Sequence, residues 1–438
     1  MLTEIEIQNF KSLRSVRIPL GPLSYFCGPN ASGKSNFAEA FDFLSNVFRN
    51  GLQHAVAEKG GFYNMCFRRI RRTKGAIEFR VSGHQQLSKQ LNAHYVTRFS
   101  FRAQTESIRS QFLVQTEEYS FQVSSMAEPE KFVTLLISRS GDSYSAQSST
   151  SIFGSVDNAF SFPTIERLNS MLAAGFKPRP QRLLIEGNSS FLFELFDNPW
   201  RMQRDLEGLR VFQMNSRTAR RPGTPSVSEG LGRHGENLPV VVESFLRRKG
   251  LGPRLLAWMR DILPNLESLL TDYTQSKQIG LFVQERGFGA PWYVEDISDG
   301  TIMALGLFIA LLDPEHRTVL IEEPENSLHP WILMRFLEHC REMSETKQIL
   351  ITTHSPLVVG GAKPEELFLI ERNGSNTEII PAKEREPYLD KIVRKQALDL
   401  GEYWLSGGFG GVPEVPSLPP AENSPRRIHK GEREEQPS

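Results

Sequence analysis

Eight residues near the N-terminus, Gly28-Pro-Asn-Ala-Ser-Gly33-Lys34-Ser35, restrict what this chain can fold into more than any other feature. They match the pattern GxxxxGK[ST] at every defined position. The setting agrees with the motif. An apolar strand, Leu23–Cys27, runs into the loop, and a helix leaves it from Ser35 to about Arg49, with Phe37, Phe41, Leu44 and Phe48 on one stripe. Glycines let a backbone wrap closely around an anion, so that successive N–H groups point inward. The positive end of the helix beginning near Gly33 adds a favourable field at the same place. Gly28, Pro29, Asn30, Ala31, Ser32, Gly33, Lys34, Ser35 and Asn36 are therefore expected to surround the phosphates of a nucleotide. Lys34 would bridge the outer phosphates and the Ser35 hydroxyl would ligate Mg²⁺, which makes ATP and Mg²⁺ the expected cofactors.

Far down the chain a second apolar strand, Thr318–Ile321, ends in Glu322-Glu323-Pro324-Glu325. Proline stops the strand and leaves both carboxylates at its C-terminal end, where α/β sheets place their ligands. Glu322 is placed to hold the magnesium ion, and Glu323 to polarise an attacking water. A third strand, Gln348–Thr352, runs into Thr353-His354-Ser355-Pro356. A neutral imidazole at His354 could hydrogen-bond the γ-phosphate and orient that water. Three strand ends are then expected to meet at one triphosphate.

The intervening chain changes style. From about Gly75 to Ser138 the segments Ala76–Val81, Tyr95–Phe101, Tyr119–Val123 and Phe132–Ile137 alternate without helices between them, which predicts antiparallel pairing. Residues 139–237 mix Ser/Gly-rich and Arg/Pro-rich stretches and read as an inserted lid. Helices are expected over Leu238–Arg248, Pro253–Leu270, Thr301–Leu312 and Pro330–Met343, and a further strand over Leu367–Glu371. Alternation of helix and strand in this last third implies a parallel sheet covered on both faces. The division predicted is 1–138, 139–237, 238–405 and a Gly/Pro-rich tail from 406 to 438.

Composition excludes little but helps with setting. Lys+Arg and Asp+Glu balance at 51 each, so no global charge draws the chain to nucleic acid or a membrane surface. Three cysteines, Cys27, Cys66 and Cys340, form no CxxC pair and suit a reducing cytoplasm. No apolar run reaches the length of a membrane-spanning helix, and no membrane partner is expected.

With these motifs in order, the chain resembles the ABC-type ATPase heads of SMC, RecF and OLD-family proteins, most closely the bacterial ATPase group related to them. The likeness covers residues 1–60 and roughly 290–372. It implies an α/β P-loop NTPase head with a β-rich lobe and an inserted irregular or helical lid. Asn9-Phe10-Lys11-Ser12 is similar to the family's opening strand, and Ser327, Leu328 and His329 to its D-loop. Ser298, Asp299 and Gly300 stand where the family carries its signature, read in trans by the nucleotide of the opposite subunit. Asp299 replaces the first of that motif's two glycines, a departure that puts a negative charge beside the phosphate. Gln213 is placed as the Q-loop glutamine on the same resemblance.

The resemblance implies a homodimer, or a larger even-numbered assembly, closing around ATP and gating a separate effector protein or DNA in bacterial antiphage defence. A repair or recombination ATPase and a nucleotide-sensing scaffold with negligible turnover remain the alternatives. An OLD-type nuclease segment is not expected, since 66 residues follow Arg372 and their acidic residues are scattered. Basic clusters at Arg68, Arg69, Arg71, Arg72 and Lys74, and at Arg217, Arg220 and Arg221, could face a phosphate backbone, line a solvated loop or form an inter-subunit contact.

Overall fold

The computed structural model describes residues 1–67, 75–86, 89, 91–103, 112–127, 132–140, 143–150, 205–225, 230–326, 328–389, 391 and 399–409. Its centre is a six-stranded sheet in the order β16-β15-β3-β14-β13-β9. These strands are Asn376–Pro381, Leu367–Asn373, Leu23–Cys27, Gln348–Thr353, Thr318–Glu322 and Leu209–Phe212. All neighbours run parallel except β16, which returns antiparallel to β15.

Strands buried on both faces carry apolar residues continuously, and here the pleat splits them between two cores. Phe26, Leu320, Leu350 and Phe368 point to one side, where the helix Lys34–Asn50 lies. Tyr25, Cys27, Ile321, Val319 and Ile351 point to the other, where the helices Leu238–Arg247, Leu251–Ile262, Asp299–Leu312 and Pro330–Met343 pack. The helix Asp299–Leu312 is buried at every position from Thr301 onward. A helix with apolar residues all round belongs inside a molecule, and this one takes the middle of the second core.

Above the Lys34–Asn50 helix lies a seven-stranded antiparallel sheet, β2-β1-β4-β5-β6-β7-β8. Its strands are Leu13–Pro19, Leu2–Phe10, Ile77–Gln86, Leu91–Ala103, Phe112–Ser125, Phe132–Ser140 and Ser143–Thr150. The rings of Phe10, Phe43, Phe79, Phe99 and Phe101 lock helix and sheet together at centroid spacings of 5.4–6.3 Å. The sheet runs on past Ser138 through β8, so the antiparallel lobe extends into the stretch expected to be irregular. Most of the expected lid and of the tail lies outside the described residues, as do the basic residues 68–74.

One expected helix is shorter than predicted. The helix over Leu251–Ile262 ends ahead of Pro264, which disfavours helical backbone in the residue before it. Leu266–Tyr273 then becomes β10 and pairs with β11, Ile279–Glu285, in a three-stranded sheet completed by β12, Trp292–Tyr293. Among the described residues no helix is long and apolar enough to cross a membrane.

Candidate active site

Strand order alone brings three of the motifs together. β14, which ends at Thr353, lies between β3, which feeds the glycine loop, and β13, which ends at Glu322. All three run parallel, so their C-terminal ends open on the same edge.

The loop's shape depends on its glycines. Gly33 has φ +115°, and a Cβ there would stand 2.1 Å from the Thr377 hydroxyl. A Cβ on Gly28 would stand 2.3 Å from the Ile370 carbonyl oxygen. Thr377, on β16, donates to the Ser32 carbonyl at 3.1 Å and shares a 2.7 Å hydrogen bond with Ser12, which in turn accepts from Asn36 at 2.6 Å. The β1–β2 turn and strand β16 thus brace the loop from behind. Sequence reasoning did not find Thr377, because an isolated threonine in an edge strand carries no local signal. The loop also holds the buried Ser32 hydroxyl, which has no hydrogen-bond partner among the described residues. A buried polar group of that kind requires an acceptor or donor from elsewhere, and a phosphate oxygen fits.

Lys34 is almost fully buried. Its ammonium donates to the carbonyls of Gly28 at 2.8 Å and Pro29 at 3.1 Å and lies 3.4 Å from Glu323 Oε1. Ser35, in the first turn of the helix Lys34–Asn50, is exposed. Together with the Glu322 carboxylate it offers the oxygen donors that magnesium takes alongside phosphate oxygens.

Glu322 and Glu323 are adjacent in sequence but differ in surroundings. Glu322 is 7% exposed, and its Oε1 accepts from Arg233 at 2.7 Å. Burial pushes its carboxyl above the ordinary range, against the pull of that guanidinium. Glu323 has left the strand: its backbone is left-handed, φ +44°, with its N–H bonded to the Thr352 carbonyl. Such a conformation in a non-glycine residue costs of order 1–3 kcal/mol and persists only where its surroundings enforce it. Burial raises the Glu323 carboxyl too, but a hydrogen bond from Asn326 at 2.9 Å, with Lys34 and His354 nearby, outweighs burial and holds it below the usual range. This carboxylate is ionised and can accept a proton.

His354 stands beside it, Nδ1 lying 3.5 Å from Glu323 Oε1 and 3.2 Å from Glu325 Oε1. That nitrogen makes no hydrogen bond to a described residue. Glu325 fixes the strand end, accepting from the Thr353 hydroxyl at 2.7 Å and from the His354 N–H at 2.8 Å. Its anchoring role was not legible from the acidic run alone.

The other expected residues sit around this edge. β9 pairs with β13 up to Phe212 beside Ile321, and Gln213 follows at the same edge of the sheet. Gln213 bonds through its backbone to Arg233 and His234. Ser298 caps the helix Asp299–Leu312, accepting from the Thr301 N–H at 3.2 Å, and Gly300 lies in that helix's first turn. Leu328 is buried and His329 caps the helix Pro330–Met343, while Ser327 lies outside the described residues. Cys27 is buried behind the loop with its thiol pushed up to about 12 by burial, and so serves packing.

A glycine loop, an acidic strand end and a parallel sheet of this order define a P-loop NTPase. The chain belongs to the P-loop ATPase family described as "AAA domain, putative AbiEii toxin, Type IV TA system", which matches residues 26–360. An OLD nuclease from Thermus scotoductus is 39% identical over 44 residues, 10% of this chain and 8% of that protein. The matched stretch therefore spans less than a tenth of that relative. Among solved structures, an SMC head bound to the C-winged helix domain of ScpA is 13% identical with a TM-score of 0.42, covering 86% of this chain and 96% of that one. The SMC head domain from Thermotoga maritima gives 11% and 0.38, over 87% and 98% of the two chains. At those identities and scores neither likeness adds to the assignment.

Proposed function

We propose that the protein binds Mg-ATP at this edge and hydrolyses it to ADP and phosphate. The glycine loop from Gly28 to Asn36 holds the phosphates, with Lys34 turning from the Gly28 and Pro29 carbonyls to the outer oxygens. Ser35 and Glu322 hold the magnesium ion, which neutralises charge on the β- and γ-phosphates. Glu323 accepts the proton of the attacking water, and His354, whose ring stands beside it, contacts the γ-phosphate. The observation that carries the reading is the Glu323 carboxyl group, held in left-handed backbone between Lys34 at 3.4 Å and His354 at 3.5 Å.

Two copies close head to head, each presenting Ser298, Asp299 and Gly300 to the other's triphosphate. The exposed N-terminus of the Asp299–Leu312 helix supports this, since helix N-termini attract phosphate. Residues 1–138 and 238–405 supply the two halves of the head, with Gln213 reporting the metal site to the segment between them. Closure and reopening gate a separate effector protein or DNA in bacterial antiphage defence. The family's description, which names a toxin of a type IV toxin–antitoxin system, supports a role beside a partner protein.

The deciding experiment is the solution mass of Glu323→Gln with and without Mg-ATP. A nucleotide-dependent dimer is expected. A monomer under both conditions removes the shared two-copy site.

A further inference from the structure

Asp299 is the one position where the signature segment departs from a pattern of small, uncharged residues, and it brings a carboxylate to a helix N-terminus offered to phosphate. The fold answers that charge. Arg220, which ends the short helix Ser216–Ala219, turns its guanidinium onto the segment 294–299. Nη1 bonds the Asp299 carboxylate, Nη2 donates to the Ile297 carbonyl, and Nε donates to the Val294 carbonyl at 3.1 Å. One planar fork thus holds three acceptors within six residues. A second contact lies further along the same helix, where Met214 packs so closely that a Cβ on Gly306 would stand 2.0 Å from its methyl group.

The segment that carries both points of attachment leaves β9 after Phe212, which lies beside Ile321, and reaches Arg220 eight residues later. Asn215 stiffens it by accepting from the Thr218 N–H at 3.1 Å, and Ala219 is fully buried. The arginine cluster flagged in the sequence therefore includes a member committed to the signature helix. The segment carrying it begins at the metal-binding end of the sheet.

We propose that Arg220 is a positioning residue for trans phosphate recognition: it neutralises Asp299 and sets the 294–299 segment so that the helix N-terminus can accept a second copy's triphosphate. The inference rests on the two-copy reading above. Without Arg220, Asp299 loses the guanidinium that meets it directly and keeps only the Ser216 hydroxyl and the Arg217 charge. On a surface that must approach γ-phosphate, a carboxylate less fully neutralised opposes closure. The nucleotide pocket of the same copy is untouched, so binding and closure separate.

The test uses the full chain and four variants: Arg220→Ala, Arg220→Lys, Arg220→Ala with Asp299→Gly, and Glu323→Gln as reference. ATP affinity is read with a fluorescent ATP analogue, and phosphate release across a range of enzyme concentrations gives kcat and the concentration for half-maximal rate. Arg220→Ala is expected to bind within twofold of the parent, lose at least tenfold in kcat and need more enzyme for half-maximal rate. Asp299→Gly in that background is expected to return at least half of the lost rate. Arg220→Lys, which keeps the charge but not the three-acceptor fork, is expected to fall between the alanine variant and the parent, and serves if the alanine variant does not fold. An Arg220→Ala rate within twofold of the parent overturns the inference. So does a double variant no faster than the single, or a lysine variant no better than alanine. If Glu323→Gln stays monomeric with Mg-ATP, the two-copy reading itself has failed and the inference falls with it. If that variant dimerises while Arg220→Ala hydrolyses normally, only the inference fails.

Discussion

Arg233 donates to Glu322 at 2.7 Å, so the carboxylate assigned to magnesium is held by a cation of the same chain. The same guanidinium reaches Asp42 at 2.8 Å, and Asp42 also meets Lys59 at 2.5 Å. Arg233 thus ties the end of β13 to the helix that follows the glycine loop.

Arg233→Met removes the group that opposes burial at Glu322, and the carboxyl should climb further above its ordinary range. A carboxyl must be ionised to hold a metal, so the acid limb of the pH–rate profile should move to higher pH. More Mg²⁺ should be needed for half-maximal rate at neutral pH. An unmoved acid limb would show that Arg233 has no hold on the metal site.

Lys34→Ala should lower ATP affinity about tenfold or more, since a charge-assisted hydrogen bond contributes roughly 1.5–3 kcal/mol. Titration calorimetry with ATP measures it. Unchanged affinity would mean that the glycine loop does not hold the phosphates.

Glu323→Gln keeps the side chain's shape and its bond from Asn326 but removes the proton acceptor. Hydrolysis should slow by about 10²-fold or more with ATP affinity retained. Single-turnover phosphate release separates the chemical step from product release, and a normal rate would place the base elsewhere.

Gly33→Ala should destabilise the fold by roughly 2–5 kcal/mol. Left-handed backbone in alanine accounts for about 1–2 kcal/mol of this, and displacement of the Thr377 side chain for ~1–3 kcal/mol. Urea unfolding gives the value directly. A variant as stable as the parent would mean that β16 does not brace the loop.

Lys347 offers a pH dependence unrelated to catalysis. It is buried at the C-terminal end of the Asp299–Leu312 helix, donating to the Leu311 and Asp313 carbonyls, and burial lowers its ammonium to about 7. Above that value the folded chain binds fewer protons than the unfolded one until about pH 10.4, so stability should rise with pH through this window. The slope from this group is at most about 1.4 kcal/mol per pH unit. Denaturant titrations at pH 7, 8 and 9 should show that rise in the parent and a flatter profile in Lys347→Met. Parallel profiles would indicate that the lysine stays charged throughout.

The sequence by itself determined the glycine loop, the acidic strand end, His354 and the helix–strand alternation of the last third. Each of these is a local pattern whose residues meet their neighbours along the chain. The loop needs Gly28 and Gly33 wherever it is built, and a buried parallel strand must be apolar throughout. Tertiary structure alone decided the rest. Leu266–Tyr273 has leucines spaced three and four apart that suit a helix, yet it becomes β10, because its backbone groups find partners on Ile279–Glu285. Strand β9 is too short to declare itself, and only its pairing with β13 brings Gln213 to the edge of the sheet where Glu322 ends its strand. Thr377, Arg233 and Arg220 act on residues 345, 89 and 79 positions away, through contacts that local spacing does not encode. Backbone propensity and hydrophobic period act over a few residues, whereas a charge is partnered, and a loop braced, only by what the folded chain brings beside it.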